Sequence, residues 1–345
     1  MNAYDSLTLA SSPAKRWLVT GAAGFIGSHL VESLLRNGQQ VIGIDNFSGG
    51  FQRNLDEVQR LVGPDRWQAF SFSLADIEDV EDCRRACDGV DIVLHQAALC
   101  SVPASIEDPL RTHSTNVGGF MNMLIAARDA RVKRFVYATS SAVYGEQVSL
   151  PISEGASVLP GSPYAASKLI NEIYAGMFTR VFGLDCIGLR YFNVFGSRQD
   201  PANAYAAVIP KWITQMIRSE LVYIHGDGQN TRDFCLVEEI VQANLLAGTS
   251  TRLGAQNQVF NIAGGEATSL NELFQLVRAG LAAHFPYVLA CEPLHDANRL
   301  GDIRHSVADI SKAKRLLDYR PLDKLANGLT EAIAWYALQL GGRSG

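Results

Sequence analysis

At 345 residues the chain is long enough for one large or two modest domains, and 47% hydrophobic against 19% charged residues describes a folded globular protein, not a disordered one. A formal charge of −5, with no long cluster of lysine or arginine, excludes a basic surface for nucleic acid. No apolar run approaches the roughly 18 residues of a membrane span. The opening MNAYDSLTLASSPAK lacks the basic start and apolar stretch of a secretory signal, so a short disordered lead and a cytoplasmic protein are expected. The six cysteines (Cys83, Cys87, Cys100, Cys186, Cys235 and Cys291) form no CxxC pair and have no histidines at zinc-ligand spacing, which predicts free thiols and no metal.

From Arg16 to Tyr191 short apolar runs alternate with longer helical patterns: RWLVT, a helix to about Asn37, VIGID, WQAFSFS, VDIVLHQA, RFVYATS and DCIGLRYF. Runs apolar on both faces and separated by helices predict an α/β fold, a doubly wound parallel sheet of the Rossmann type. After Phe192 come a loop-rich stretch, a helix near Lys211 to Arg218, and pieces such as VYIHGDG; QVFNIAGG, near 258–265, reads as a buried strand that rejoins the sheet. The expected organisation is a cofactor-binding domain over residues 1–192, completed by a segment near 236–265, and a smaller interleaved α/β substrate domain over 193–345.

Strand WLVT runs into Gly21-Ala-Ala-Gly24-Phe25-Ile26-Gly27 and then a helical pattern. Glycines so placed permit a tight turn, close approach of backbone to a pyrophosphate and close packing of helix on strand, while the helix N-terminus attracts the anion. Asp45 ends the second strand, eighteen residues past Gly27, where a carboxylate can accept from an adenosine ribose. Its charge would repel a 2′-phosphate, favouring NAD over NADP, although Arg53 lies nearby. His95, closing an apolar strand, is assigned a structural place.

SPYAASK puts Tyr164 and Lys168 four positions apart behind Pro163, which suits a helix's first turn. An ammonium beside a phenol favours the phenolate, so the pair is a candidate general acid/base; the same spacing also suits an ordinary amphipathic helix. RFVYATSSAVYG places Ser140 and Ser141 at the C-terminal end of a parallel strand, where ligands bind in such folds.

In order and spacing, the glycine turn, the Ser140 of SSAVYG and the YxxxK of Tyr164 and Lys168 resemble the extended short-chain dehydrogenase/reductase family. LDEVQ, HQAALCSVPASI, LRYFNVFGSRQDP, AYAAVIPKW, GDGQNTRDF and RLGDIRHSVADISKA narrow the resemblance to UDP-hexose 4-epimerases, most closely those acting on UDP-N-acetylhexosamines, over about residues 16–340. The resemblance implies that Ser140, Tyr164 and Lys168 carry chemistry. It also implies Phe25, Ile26, Asn46, Gln96, Ala97 and Ala98 beside NAD, with Asp76 and Ile77 near the adenine. Ser101, Ser141, Asn193, Ala207, Arg232, Arg299 and Ser306 would then meet the UDP-sugar, both arginines on its diphosphate. Tyr164 would take the 4-hydroxyl proton while the C4 hydrogen passes to NAD, and the resulting 4-keto sugar would turn and receive it back on its other face.

The small Ser306 implies room for an N-acetyl group where glucose-restricted members carry tyrosine. Two departures, Cys100 for a usual glycine and Ala104 for an arginine, leave UDP-N-acetylhexosaminuronate and UDP-glucose as alternative substrates. Sugar-nucleotide dehydratases need an Asp-Glu pair where this chain has Ser141 and Ala142, and decarboxylases have glutamate at Ala142. A catalytically silent nucleotide-sugar-binding scaffold is the reading from another class; the intact Ser140, Tyr164 and Lys168 set argues against it. Apolar faces over 110–130 and 162–182 imply, by the same resemblance, a homodimer.

Overall fold

The computed structural model describes residues 13–201, 207–297, 303–322 and 324–341. In chain order it opens with β1 (Arg16–Thr20), α1 (Phe25–Arg36), β2 (Gln40–Asp45), α2 (Gln52–Trp67), β3 (Phe70–Leu74), α3 (Val80–Cys87) and β4 (Ile92–His95). There follow α4 (Val102–Glu107), α5 (Pro109–His113), a π-helical turn (Ser114–Gly119), α6 (Phe120–Asp129), β5 (Arg134–Ser140), α7 (Pro163–Phe182) and β6 (Cys186–Tyr191). Beyond Phe192 come β7 (Asn193–Phe195), α8 (Val208–Ile217), β8 (Tyr223–His225), β9 (Thr231–Arg232), β10 (Phe234–Leu236), α9 (Val237–Thr249) and β11 (Val259–Ile262). The last are β12 (Thr268–Ser269), α10 (Leu270–Ala282), β13 (Leu294–Asp296), α11 (Ser311–Leu317) and α12 (Leu325–Gly341).

A seven-stranded sheet runs β11-β6-β5-β4-β1-β2-β3 with every neighbour parallel. Alternation along each strand divides its side chains between two cores. Trp17, Val19, Ile92, Leu94, Val136, Ile187 and Leu189 enter the core shared with α1 and α9. Leu18, Val93, Phe135, Tyr137 and Cys186 enter the one shared with α3, α6 and α7. Both faces are thus covered, which is why the runs read as continuously apolar. The rejoining strand expected near 258–265 is β11, pairing with β6. A third core gathers Trp212, Ile213, Phe274, Val277, Ile333 and Tyr336 from α8, α10 and α12.

One local expectation changes. The helical pattern over 110–130 is not one helix: the π-helical turn separates α5 from α6 and turns the buried Asn116 inward. Within VYIHGDG, Tyr223–His225 form β8, paired with β13. The helix carrying Tyr164 forms as its sequence suggests. Ser162 caps it by accepting from the Ala165 N–H at 3.2 Å, Pro163 occupies its first turn, and Gly183 ends it in the left-handed conformation at φ 73°.

Candidate active site

One cavity of about 1130 Å³ opens at the C-terminal ends of β1, β2, β4, β5 and β6 and extends to α8, β8 and β9. A site for a single drug-sized ligand spans roughly 300–1,000 Å³, so this one has room for two adjoining ligands. Strand polarity places it where open parallel sheets bind ligands.

The end beneath β1 and β2 is made largely of backbone. Gly21 has φ +68°, and a Cβ on Gly27 would lie 1.9 Å from the Gly21 carbonyl oxygen, so the turn closes only with glycine at both positions. Helix α1 then begins with no acidic residue in its first turn, leaving its N-terminal partial charge free to attract an anion. Asp45 accepts from the N–H groups of Ala23 (2.9 Å) and Phe47 (2.7 Å); burial pushes its carboxyl above the ordinary value, and these donors oppose the rise. Arg53 is paired with Asp200 at 3.1 Å and lies 3.9 Å over the Phe51 ring.

Gly21, Gly24, Phe25, Ile26, Gly27, Asp45, Asn46, Ile77, Gln96, Ala97 and Ala98 all line the cavity. Asp76 does not; it stands behind Asn46, whose amide donates to it at 2.9 Å. Thr20 Oγ1 accepts from the Gln96 and Ala97 N–H groups, each at 3.1 Å, and is 2.9 Å from His95 Nδ1. His95 itself is enclosed by Phe120 and Phe135, and burial, then the Lys168 charge, pushes its pKa down to about 3.

At the end beneath β5, Ser140, Tyr164 and Lys168 converge. Ser140 Oγ accepts from the Ala142 N–H at 3.1 Å and acts to lower the Tyr164 phenol. Lys168 Nζ donates to the Ala138 carbonyl at 3.1 Å and stands 5.9 Å from the Tyr164 ring centroid. Burial pushes Lys168 down to about 8, and burial also pushes the Tyr164 phenol well above its ordinary value, only partly offset by Ser140. The lowering expected from the Lys168 ammonium does not prevail over burial here. In the ligand-free protein desolvation outweighs the cation, so a further positive charge is needed.

Ser101, Asn193, Ala207 and Arg232 also line the cavity. Ser101 caps α4, Asn193 opens β7, and Arg232 Nη1 donates to the Thr231 carbonyl at 2.9 Å. Ser141 begins a short 3₁₀ turn and lies off the cavity wall. Ser306 is buried, its N–H donating to the Thr231 carbonyl at 3.2 Å; it backs the strand of Arg232 and does not line the wall. Arg299 lies outside the described residues.

Sequence reasoning missed Asn116. Its amide accepts from the Leu99 N–H (2.8 Å) and donates to the Leu99 carbonyl (2.9 Å) and to Ser167 Oγ (3.1 Å), tying the loop of Cys100 and Ser101 to α7. A π-helical turn leaves no periodic signal by which this could have been found.

Residues 17–263 match the model of the NAD dependent epimerase/dehydratase family. The chain belongs to that family. Three similar proteins are full-length matches. The UDP-glucose 4-epimerase of Mycolicibacterium smegmatis is 35% identical over 93% of this chain and 98% of its own. A UDP-N-acetylglucosamine 4-epimerase from Methanobrevibacter ruminantium M1, solved with UDP-N-acetylmuramic acid, superposes with TM-score 0.87 at 37% identity, covering 95% of this chain and 100% of that one. The UDP-glucose 4-epimerase of Thermotoga maritima, solved with UDP-glucose, gives TM-score 0.84 at 37% identity, covering 94% and 99%.

As a member of this family the protein is an enzyme whose cofactor is NAD. Its own residues fit that group: the glycine cradle would be filled by any Cβ, the helix N-terminus carries no opposing acid, and Asp45 closes β2. Among the described residues no group of three His, Cys, Asp or Glu side chains could hold a metal ion, and no helix is long and apolar enough to cross a membrane.

Proposed function

We propose that the protein is an NAD-dependent UDP-sugar 4-epimerase and that its substrate pair is UDP-GlcNAc and UDP-GalNAc. The observation that carries the reading is the convergence of Ser140, Tyr164 and Lys168 at one end of a cavity large enough for dinucleotide and nucleotide sugar together. Among the described residues the carboxylates on the cavity wall are Asp45 and Asp200, and neither follows Ser140, where Ser141 and Ala142 stand. This favours hydrogen transfer and its reversal over elimination of water.

Tyr164 takes the proton of the sugar 4-hydroxyl, with Ser140 holding that hydroxyl against the phenol. Bound NAD supplies the acceptor for the C4 hydrogen and, when oxidised, a positive charge. The raised affinity of Tyr164 for its proton means that the phenolate belongs to the cofactor-loaded enzyme. Lys168, held by Ala138, fixes the ribose side of that site. Arg232, with Arg299, grips the diphosphate as a planar fork, leaving the hexose loosely held so that the 4-keto sugar can turn over. The N-acetyl preference is supported by the similarity to the Methanobrevibacter ruminantium protein, a UDP-N-acetylglucosamine 4-epimerase; Ser306, small and buried behind Arg232, does not itself line the cavity.

Residues 1–192 with 236–265 would serve the cofactor, and most of 193–345 the sugar nucleotide. Exposed Leu110 on α5 and Ile173, Val181 and Phe182 on α7 support a homodimer formed through these helices. Incubating the enzyme with UDP-GlcNAc, UDP-glucose and their uronates in parallel tests the reading. UDP-GalNAc is the expected main product, and turnover of UDP-glucose alone would overturn the N-acetyl assignment.

A further inference from the structure

Tyr164 and Lys168 are two members of a longer stripe. Four residues on, Glu172 occupies the same face of α7, so Tyr164, Lys168 and Glu172 follow at i, i+4 and i+8. They face three consecutive residues at the end of β5. Lys168 Nζ donates to the Ala138 carbonyl at 3.1 Å and Thr139 Oγ1 donates to Glu172 Oε1 at 2.8 Å, while Ser140 and Tyr164 line the same end of the cavity. Two hydrogen-bonded rungs therefore join the helix that bears the phenol and ammonium to the strand that bears the serine.

The Thr139 rung is the more firmly backed. Arg190 on β6 grips Glu172 with two donors, Nε at 2.9 Å to Oε1 and Nη2 at 2.6 Å to Oε2, and the two side chains are only 6% and 7% exposed. Its guanidinium lies 4.6 Å over the Tyr144 ring, and the Tyr144 hydroxyl donates to Asn261 Oδ1 at 2.7 Å. Glu172 is thus braced by β6 and, through Tyr144, by β11. A carboxylate fixed in this way can set the height of Thr139 against α7, and with it the heights of its neighbours Ala138 and Ser140.

We infer that Glu172, braced by Arg190, is a positioning residue for the epimerase reaction. Through the Thr139 hydroxyl it keeps Ser140 in register with Tyr164, and Ala138 in register with Lys168. It does not line the cavity. A buried ion pair that only stabilised the fold would not need the Thr139 rung, and the two roles separate on that point.

The inference rests on the epimerase reading, so its test carries two readouts. Thr139→Val replaces one hydroxyl by a methyl at a residue that also lines the cavity, and removes its hydrogen bond to Glu172. The first readout is steady-state kinetics: kcat is expected to fall about tenfold or more while KM stays within about twofold. The second needs no substrate. In the NAD-loaded protein, the ionisation of Tyr164 is read from phenolate absorbance as the difference from Tyr164→Phe. Facing it are Lys168 on its own helix and Cys100 from the loop before α4, with His95 behind Lys168. Loss of the rung is expected to raise the midpoint by about half a pH unit or more, because Ser140 no longer holds the phenolate in place.

Thr139→Ser, which keeps the hydroxyl, is expected to retain both rate and midpoint. Glu172→Gln keeps an acceptor for Thr139 but breaks the charge pair with Arg190, and should lower both kcat and thermal stability. An unchanged midpoint and kcat in Thr139→Val would overturn the inference, as would a matched loss in Thr139→Ser. If the wild-type protein turned over no UDP-sugar, the functional reading would fall, while the ionisation midpoint would still decide the role of Glu172.

Discussion

The glycine turn and the Ser140–Tyr164–Lys168 cluster share one cavity, yet the first is built of backbone and the second of side chains drawn from a strand and a helix far apart in sequence. At Gly21 and Gly27 the constraint is steric and local: a methyl group at Gly27 would meet the Gly21 carbonyl at 1.9 Å. At Tyr164 the constraint is electrostatic and collective, since burial, Ser140 and the loop of Cys100 all act on one proton. The two ends should fail differently when altered, one in holding the cofactor and the other in chemistry.

The largest effect belongs to the chemical end. Tyr164→Phe removes the acid/base group and should cost roughly a thousandfold in kcat, with NAD still bound as judged by the absorbance of cofactor released on denaturation. A comparable loss of cofactor would erase the distinction between the two ends. Gly27→Ala should show the opposite pattern. NAD affinity, measured by titration calorimetry, should weaken by far more than about tenfold, because the turn cannot close around a Cβ, while Tyr164 and Lys168 stay in place on α7.

The smallest effect sharpens the electrostatic side. Burial holds Lys168 at about 8 in the folded protein against 10.5 ordinarily, so below that lower value the NAD-free fold carries an unfavourable buried charge. Between the two values the unfolded chain binds more protons, and stability from this group rises with pH across that window. Lys168→Met should therefore raise the melting temperature of NAD-free protein at pH 7 by about 2–4 °C, with the gain vanishing above pH about 10.5. A lower melting temperature at pH 7 would show that Lys168 is not penalised by its burial.

The same contrast explains what could be read in advance. The parallel strands, the glycine turn and Asp45 follow from patterns within about thirty residues of chain, and the fold reproduces them. Tyr164 and Lys168 were visible because a helix repeats its face every three to four residues. Their electrostatics were not, because burial depends on what the loop of Cys100 and the end of β5 bring over them. Glu172, Thr139 and Arg190 meet across 33 and 18 residues of chain, with no periodicity to connect them. Asn116 escaped for the same reason, and the apolar pattern over 110–130 hid a π-helical turn because both conformations present similar faces.

In the proposed reaction the C4 hydrogen leaves the sugar and returns to the same carbon within one enzyme-bound cycle. UDP-GlcNAc carrying deuterium at C4, turned over by the NAD-loaded enzyme in ordinary water, tests it most directly. The expected product is UDP-GalNAc that retains the deuterium at C4 and forms more slowly than from unlabelled substrate. Product that has exchanged its label with water would contradict it.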